Sequence, residues 1–247
     1  MKVAFVVFVV GERYIVPFEH VFKKNLQDYC DKYGYELIIL SEPIRKEAEM
    51  TGKKFLWQKL LIPDKYRDYD YVVSIDSDIF VNPDAPPLPL DEIPEGKIAA
   101  VNERKYLGNY EWREKIQMAN GWEKTGKEWY AMSGEKNTYD DHTNSGFVIY
   151  QPKYHATPVM ELYNNNIDNY MKYHQDDQSI LSSFVMENDM IYWLDERFNR
   201  VWSFWKETMY PFFNSLDDEL KQKCVKNFIS LNYFSHFTGR VDSWFIN

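Results

Sequence analysis

The most constraining feature of the chain is Tyr71–Val81, which reads Tyr-Val-Val-Ser-Ile-Asp-Ser-Asp-Ile-Phe-Val. The run from Tyr71 to Ile75 is apolar enough for a buried strand, and it ends in two carboxylates, Asp76 and Asp78. In an extended chain side chains alternate faces, so Ser74, Asp76 and Asp78 share one side and Ile75, Ser77 and Ile79 the other. Two carboxylates this close repel unless something positive lies between them, and a hard divalent cation with oxygen ligands is the natural candidate. Open α/β sheets bind ligands at the ends of their strands. The competing reading is a polar strand end in which Asp76 or Asp78 caps a helix or a turn, with Asn82-Pro83-Asp84 closing the segment.

The chain before and after this stretch alternates strand and helix. Val3–Val10 is a Val-rich run that suits a strand buried on both faces. Phe18, Val21, Phe22, Leu26, Tyr29, Cys30 and Tyr33 recur at helical spacing, and Gly34 ends that helix. Tyr35–Leu40 is a second strand, residues 54–61 a helix and Ile98–Asn102 a further strand. Asn144–Pro152 reads as a strand, and Pro158 opens a helix carrying Val159, Leu162, Tyr163 and Ile167. His174–Leu181 leads from polar into apolar helix. Met190–Leu194 is a strand, 203–214 an aromatic-rich loop, and Leu216–Val225 a helix. This pattern predicts an α/β fold with a mostly parallel central sheet flanked by helices. The expected organisation is one domain over 1–247, with a nucleotide-binding half at about 1–102 and an acceptor-side half at about 103–247.

Between Glu103 and Thr143 the periodicity dissolves. The stretch is polar, punctuated by Gly121, Gly126 and Gly134, and carries Trp122 and Trp129. Long irregular inserts in compact domains are uncommon and often functional. Trp122 and Trp129 are therefore acceptor-site candidates, with an insert packed by its own aromatic residues as the alternative.

Charge narrows the partners. With 29 Lys and Arg against 38 Asp and Glu, the net charge is −9, and there is no sustained basic stripe. A nucleic-acid partner is not expected. Aromatic residues make up 17% of the chain, with 19 Tyr and 8 Trp, residue types that often face sugar rings. Cys30 and Cys224 match no metal or redox spacing and read as reduced thiols. No apolar run approaches the roughly 20 residues needed to span a bilayer. The first strand begins at Lys2, so no membrane anchor is expected ahead of it. The expectation is a cytoplasmic protein of bacterial or viral type, or a truncated one.

Residues 59–81, Lys-Leu-Leu-Ile-Pro followed by Asp-Tyr-Val-Val-Ser-Ile-Asp-Ser-Asp-Ile-Phe-Val, resemble the central block of GT-A-fold glycosyltransferases. The likeness is to the glycogenin-like and bacterial galactosyltransferase group and to the xyloglucan xylosyltransferase group. Further blocks follow in the family's order: Asn144-Ser145-Gly146, Asp177-Gln178 and His236-Phe237-Thr238-Gly239. Asp195–Asn199 resembles the turn before the family's Phe-Asn pair, with Asp195 where a proline is often found. The resemblance spans Val3 to Arg240 and leaves Glu103–Thr143 unmatched.

The resemblance implies a glycosyltransferase that moves a sugar from a nucleotide-sugar donor, a UDP-sugar, to a glycan or glycoconjugate acceptor. It implies a metal held by Asp76, Asp78 and His236. Mixed oxygen and imidazole ligands suit Mn²⁺, with Mg²⁺ as the alternative. Val9, Val10 and Tyr14 stand where the family holds base and ribose. Lys59, Ser77, Asn144, Ser145, Gly239 and Arg240 fall at donor-facing positions. Asp177 would bind sugar hydroxyls and Gln178 would lie near the anomeric carbon. Other readings of these residues stay open: Lys59 as a solvated helix residue, and Asp176-Asp177 as a helix cap. The resemblance leans towards retention of configuration; inversion would need Asp176 or Asp177 as general base. Two rival functions are a sugar-nucleotide-forming nucleotidyltransferase and a catalytically inactive carbohydrate-binding module. The first typically needs a glycine-rich basic loop after the first strand, whereas Val9–Arg13 contains only Gly11.

Overall fold

The structure, a computed structural model, describes residues 1–46, 54–108, 130–131, 136, 139–173 and 177–246. A six-stranded sheet forms its centre. Its strands are β1 (Val3–Phe8), β2 (Glu36–Leu40), β3 (Tyr71–Ile75), β5 (Ile98–Asn102), β6 (Thr143–Tyr150) and β7 (Ile191–Trp193), in the order β2-β1-β3-β6-β5-β7. β1 pairs in parallel with β2 and β3, and β5 with β7, while β6 runs antiparallel to both neighbours. The sheet is therefore mostly parallel, as expected.

The alternation of side chains builds two cores. Val3, Phe5, Val7, Val73, Ile75, Phe147 and Ile149 face one side, against helix α2 (Lys23–Tyr33) and the C-terminal aromatic residues. Ala4, Val6, Val72, Val148 and Tyr150 face the other. That second face is covered by α5 (Pro152–Tyr173) and α6 (Asp177–Glu187), and by the Lys54–Lys65 segment. Because both faces are covered, the central strands read as continuous apolar runs. All eight residues of β6 are buried.

The N-terminal crossover consists of α1 (Glu12–Pro17), a π-helical turn at Phe18–Phe22, and α2. Gly34 ends α2 with φ 71°, a left-handed conformation that costs glycine little. The segment read as one helix at 54–61 runs in steps: α3 (Lys54–Trp57), a 3₁₀ turn at Gln58–Leu61, and α4 (Ile62–Lys65).

A second sheet lies at one end of the first. It has three short strands, β4 (Ile79–Val81), β9 (Phe234–His236) and β8 (Arg200–Val201), in the order β4-β9-β8. Helices α7 (Trp202–Met209) and α8 (Asp218–Leu231) pack near it. Asp217 caps α8 by accepting from the Leu220 N–H at 2.8 Å.

Three local expectations are corrected. The stretch read as an aromatic loop at 203–214 is helical over Trp202–Met209. The helix expected to open at Pro158 begins at Pro152 and carries Pro158 inside it. The extended geometry assumed for Ser74–Ile79 breaks after Ile75, because Ser77 and Asp78 form a turn between β3 and β4. Trp122, Trp129 and Asp176 lie outside the described residues. Among the described residues, no helix is long and apolar enough to cross a membrane.

Candidate active site

The two sheets meet at the C-terminal end of β3, and their pairing assembles a site from distant parts of the chain. In the large sheet Ile75 pairs with Phe147, and the Asp76 N–H continues the ladder to Gly146 O at 2.8 Å. Since β6 is antiparallel, its first residues, Asn144 to Gly146, stand beside the carboxylates that end β3. In the small sheet Ile79 pairs with His236, and the Phe237 N–H reaches Asp78 O at 2.9 Å. His236 is thereby delivered next to Asp78.

Asp76, Asp78 and His236 each offer a ligand atom, and these atoms all lie within 4.8 Å of one another. His236 Nε2 is 3.3 Å from Asp78 Oδ1 and 3.8 Å from Asp76 Oδ2. Two carboxylates and one imidazole converging at a strand end make a donor set that fits a divalent cation of the Mn²⁺ or Mg²⁺ kind. Gly239, at φ 68°, donates its N–H to Asp78 Oδ2 at 3.0 Å and fixes that carboxylate from the far side. Burial works against the charge on His236, but the hydrogen bond to Asp78 and the fields of Asp78 and Asp76 prevail, holding the imidazole above its ordinary range. Burial likewise opposes the charge on Asp78. His236, the Gly239 N–H and Arg240 outweigh that and hold it below the usual carboxylate range.

Lys59 completes the charge balance. It is 5% exposed, and its Nζ lies 2.9 Å from Asp76 Oδ1 and 3.5 Å from Asp177 Oδ2. It also donates to Ser145 O at 3.3 Å. Burial alone would lower its pKa; Asp177 and Asp76 reverse that and keep it firmly protonated. The solvated-helix reading of Lys59 is excluded by this burial. Asp177 opens α6 and is 2% exposed, while Gln178 accepts the Ser145 N–H at 3.2 Å.

A cleft of about 280 Å³ opens over these groups. Its walls include Tyr14, Lys59, Asp76, Ser77 and Asp78, then Asn144, Ser145, Asp177 and Gln178, and finally His236, Gly239 and Arg240. Arg240 stacks over the Tyr14 ring, 4.5 Å from its centroid, and donates to Arg13 O at 2.8 Å. Arg240 adopts φ 62°, a left-handed conformation uncommon for a residue with a side chain. Asp242 anchors that segment by accepting from Trp202 Nε1 at 2.9 Å and Lys206 Nζ at 3.0 Å. Val9 does not join the cleft. It is buried in the core, and its N–H pairs with Leu40 O at 2.9 Å; Val10 is also absent from the lining. Phe8 and Arg13 line that edge along with Tyr14.

Beneath the cleft lie residues that the sequence reading did not place in the site. Glu103, which follows β5, holds His142 Nδ1 at 2.9 Å and Asn144 Nδ2 at 3.2 Å. Asn199 lies between Asn144 and His236. Glu103 carried the same signal as Asp76, a carboxylate directly after a buried apolar strand, but within a stretch lacking periodicity.

No protein-family model and no curated protein matches the sequence. Solved structures do match. One is a glycosyltransferase involved in glycosylation of the major capsid of PBCV-1, with TM-score 0.58, 11% identity, and coverage of 99% of this chain and 98% of that one. The galactosyltransferase LgtC, in complex with donor and acceptor sugar analogs, matches with TM-score 0.57 and 13% identity over 96% of this chain and 87% of that one. Mouse xyloside xylosyltransferase 1 matches with TM-score 0.51 and 11% identity over 96% and 98% of the two chains. The chain has the fold of the GT-A glycosyltransferases.

Proposed function

We propose that this chain is a divalent-metal-dependent glycosyltransferase that moves a sugar from a UDP-sugar to a hydroxyl of a glycan or glycoconjugate, with retention of configuration. The observation that carries this reading is the convergence of Asp76, Asp78 and His236 at the strand ends, inside a cleft that also presents Lys59 and Arg240. Residues up to about 102 would form the nucleotide-binding half and later residues the acceptor-side half, with Asp177, Gln178, His236 and Arg240 of the later half completing the donor site.

Glycosyl transfer makes a nucleoside diphosphate the leaving group. A cation held by Asp76, Asp78 and His236 would stabilise, as a Lewis acid, the negative charge that develops there. Arg240 supports the same charge from the cleft wall. Lys59 pairs with Asp76 and Asp177 and holds both carboxylates in place. Asp177 and Gln178 face the donor sugar, and Tyr14 provides an aromatic face for the base. Among the described carboxylates lining the cleft, Asp76 and Asp78 belong to the metal group, and Asp177 is ion-paired with Lys59. The ion pair with Lys59 speaks against Asp177 as a general base to the acceptor, which supports retention, with the leaving phosphate taking the acceptor's proton.

Calorimetric titration of UDP and of GDP, with and without Mn²⁺, into the wild type and Asp78→Ala tests this. UDP binding that requires Mn²⁺ and is lost in the variant is expected. A folded wild type that binds neither nucleotide would overturn the transferase reading.

A further inference from the structure

We propose that Asn199 is a positioning residue that holds His236 in the tautomer whose bare Nε2 faces Asp76 and Asp78. The proposal rests on His236 being a metal ligand.

The direction of each hydrogen bond in this buried chain follows from its two ends. At one end stands the Gly146 N–H, a backbone group that only donates. It points at one amide atom of Asn144, at 2.9 Å, so that atom is the oxygen Oδ1. At the other end stands the Glu103 carboxylate, which accepts the remaining amide group of Asn144, Nδ2, at 3.2 Å. Donor and acceptor thus agree on one orientation of the Asn144 amide. Asn199 approaches that same Oδ1 at 2.8 Å, so it must present Nδ2. Its own Oδ1 then faces His236 Nδ1 at 3.0 Å. An amide oxygen only accepts, so Nδ1 carries the hydrogen. A neutral imidazole has a single N–H, which leaves Nε2 with its lone pair on the side of Asp78 and Asp76.

Without such a device the site would select the wrong tautomer. A carboxylate 3.3 Å from Nε2 favours a hydrogen on Nε2, donated to Asp78. That form presents no lone pair to a cation. Asn199 opposes it from the other side of the ring. Orientation of metal-bound histidines by a partner on the second nitrogen is a general means of tuning such ligands.

The fold gives the device its geometry. β9 is the central strand of the small sheet, with Ile79 opposite His236 on one flank and Val201 opposite it on the other. Asp78 precedes β4 and Asn199 precedes β8, so the ring lies between the carboxylate and the amide. Asn199 is fully buried, at 0% exposure, where water cannot substitute for it. The ring also has no spare room, since a Cβ at Gly146 would come within 2.5 Å of His236 Cε1 and 2.9 Å of His236 Nδ1.

Two measurements test the proposal. The first is Mn²⁺ affinity, read from the electron paramagnetic resonance of the free ion, for the wild type, His236→Ala and Asn199→Leu. Leucine has a similar shape and accepts nothing. The expected result is a loss of about 10- to 100-fold in Asn199→Leu. Affinity lost in His236→Ala but unchanged in a folded Asn199→Leu would overturn the positioning role while leaving the metal site standing. A wild type that binds no Mn²⁺ would remove the metal reading and this proposal with it. The second measurement needs no variant: nitrogen-15 NMR of the His236 ring in metal-free wild type in alkaline buffer. The neutral ring is expected to be protonated at Nδ1, and protonation mainly at Nε2 would overturn the proposal.

Discussion

Asp78 Oδ1 lies 3.3 Å from His236 Nε2, and a single antiparallel ladder is responsible, because Ile79 and His236 are partners in it. The contact joins the first third of the chain to its C-terminal region, and the electrostatics of the cleft depend on it.

The first prediction follows from that contact and concerns pH. Without metal, His236 is held above its ordinary pKa and Asp78 below its own. The histidine's contribution to stability is complete below the ordinary imidazole value and is lost as pH rises through the raised one. The aspartate's contribution is present above the ordinary carboxylate value and is lost as pH falls through the depressed one. In urea unfolding with chelator present, His236→Ala should remove the part of the loss that sets in just above the ordinary imidazole value. Metal binding should show the opposite trend. A cation must displace the proton on His236, so Mn²⁺ affinity should rise about tenfold per pH unit below the histidine's pKa and then level off.

Lys59 is buried against Asp76 and Asp177, so Lys59→Met should leave the buried Asp177 and the partly buried Asp76 without their cation. Breaking a buried pair in this way costs about 3–5 kcal/mol. Thermal unfolding should show the loss, and saturating Mn²⁺ should recover part of it by binding only the folded form. A variant as stable as the wild type without metal would refute the role given to Lys59.

Gly146→Ala should disturb the metal site through space alone. The added methyl would lie 2.5 Å from His236 Cε1 in a strand buried throughout. Overpacking of this kind costs about 1–3 kcal/mol. Here it should also weaken Mn²⁺ binding, because the ring is what must move. Unchanged stability and unchanged Mn²⁺ affinity would show that the ring accommodates the methyl freely.

Cys30 is fully buried in the core, and burial, with Asp31 adding to it, pushes its thiol up to about 12. Thiolate is the reactive form. Disulfide reagents at mildly alkaline pH should therefore label Cys224 in the native protein and Cys30 only after denaturation. Rapid native labelling of both would contradict the packing of α2 on the sheet.

Much of the fold was legible because local patterns suffice for it. β1, β3 and β5 are short, Val-, Ile- or Ala-rich runs buried on both faces, and such runs announce themselves. The Trp202–Met209 helix does not announce itself, because the aromatic run continues past its end through Tyr210, Phe212 and Phe213 and hides where it stops. Val9 was misplaced because nothing in the run Val3–Val10 marks where the strand stops and the cleft begins; the structure ends β1 at Phe8.

The sequence by itself determined an α/β chain with a strand ending in Asp76 and Asp78, and it supplied the short blocks around Asn144, Asp177 and His236. Only the tertiary structure decided how they meet. The antiparallel course of β6 brings Asn144–Gly146 to the end of β3, and the central place of β9 sets His236 between Asp78 and Asn199. The burial of Lys59 between Asp76 and Asp177, and the hydrogen-bond chain from Glu103 through Asn144 and Asn199, belong to the same class of facts. The physical reason is that strand propensity and burial pattern are written in neighbouring residues, whereas the direction of a hydrogen bond or the partner of a buried charge depends on groups that only long-range pairing brings within reach.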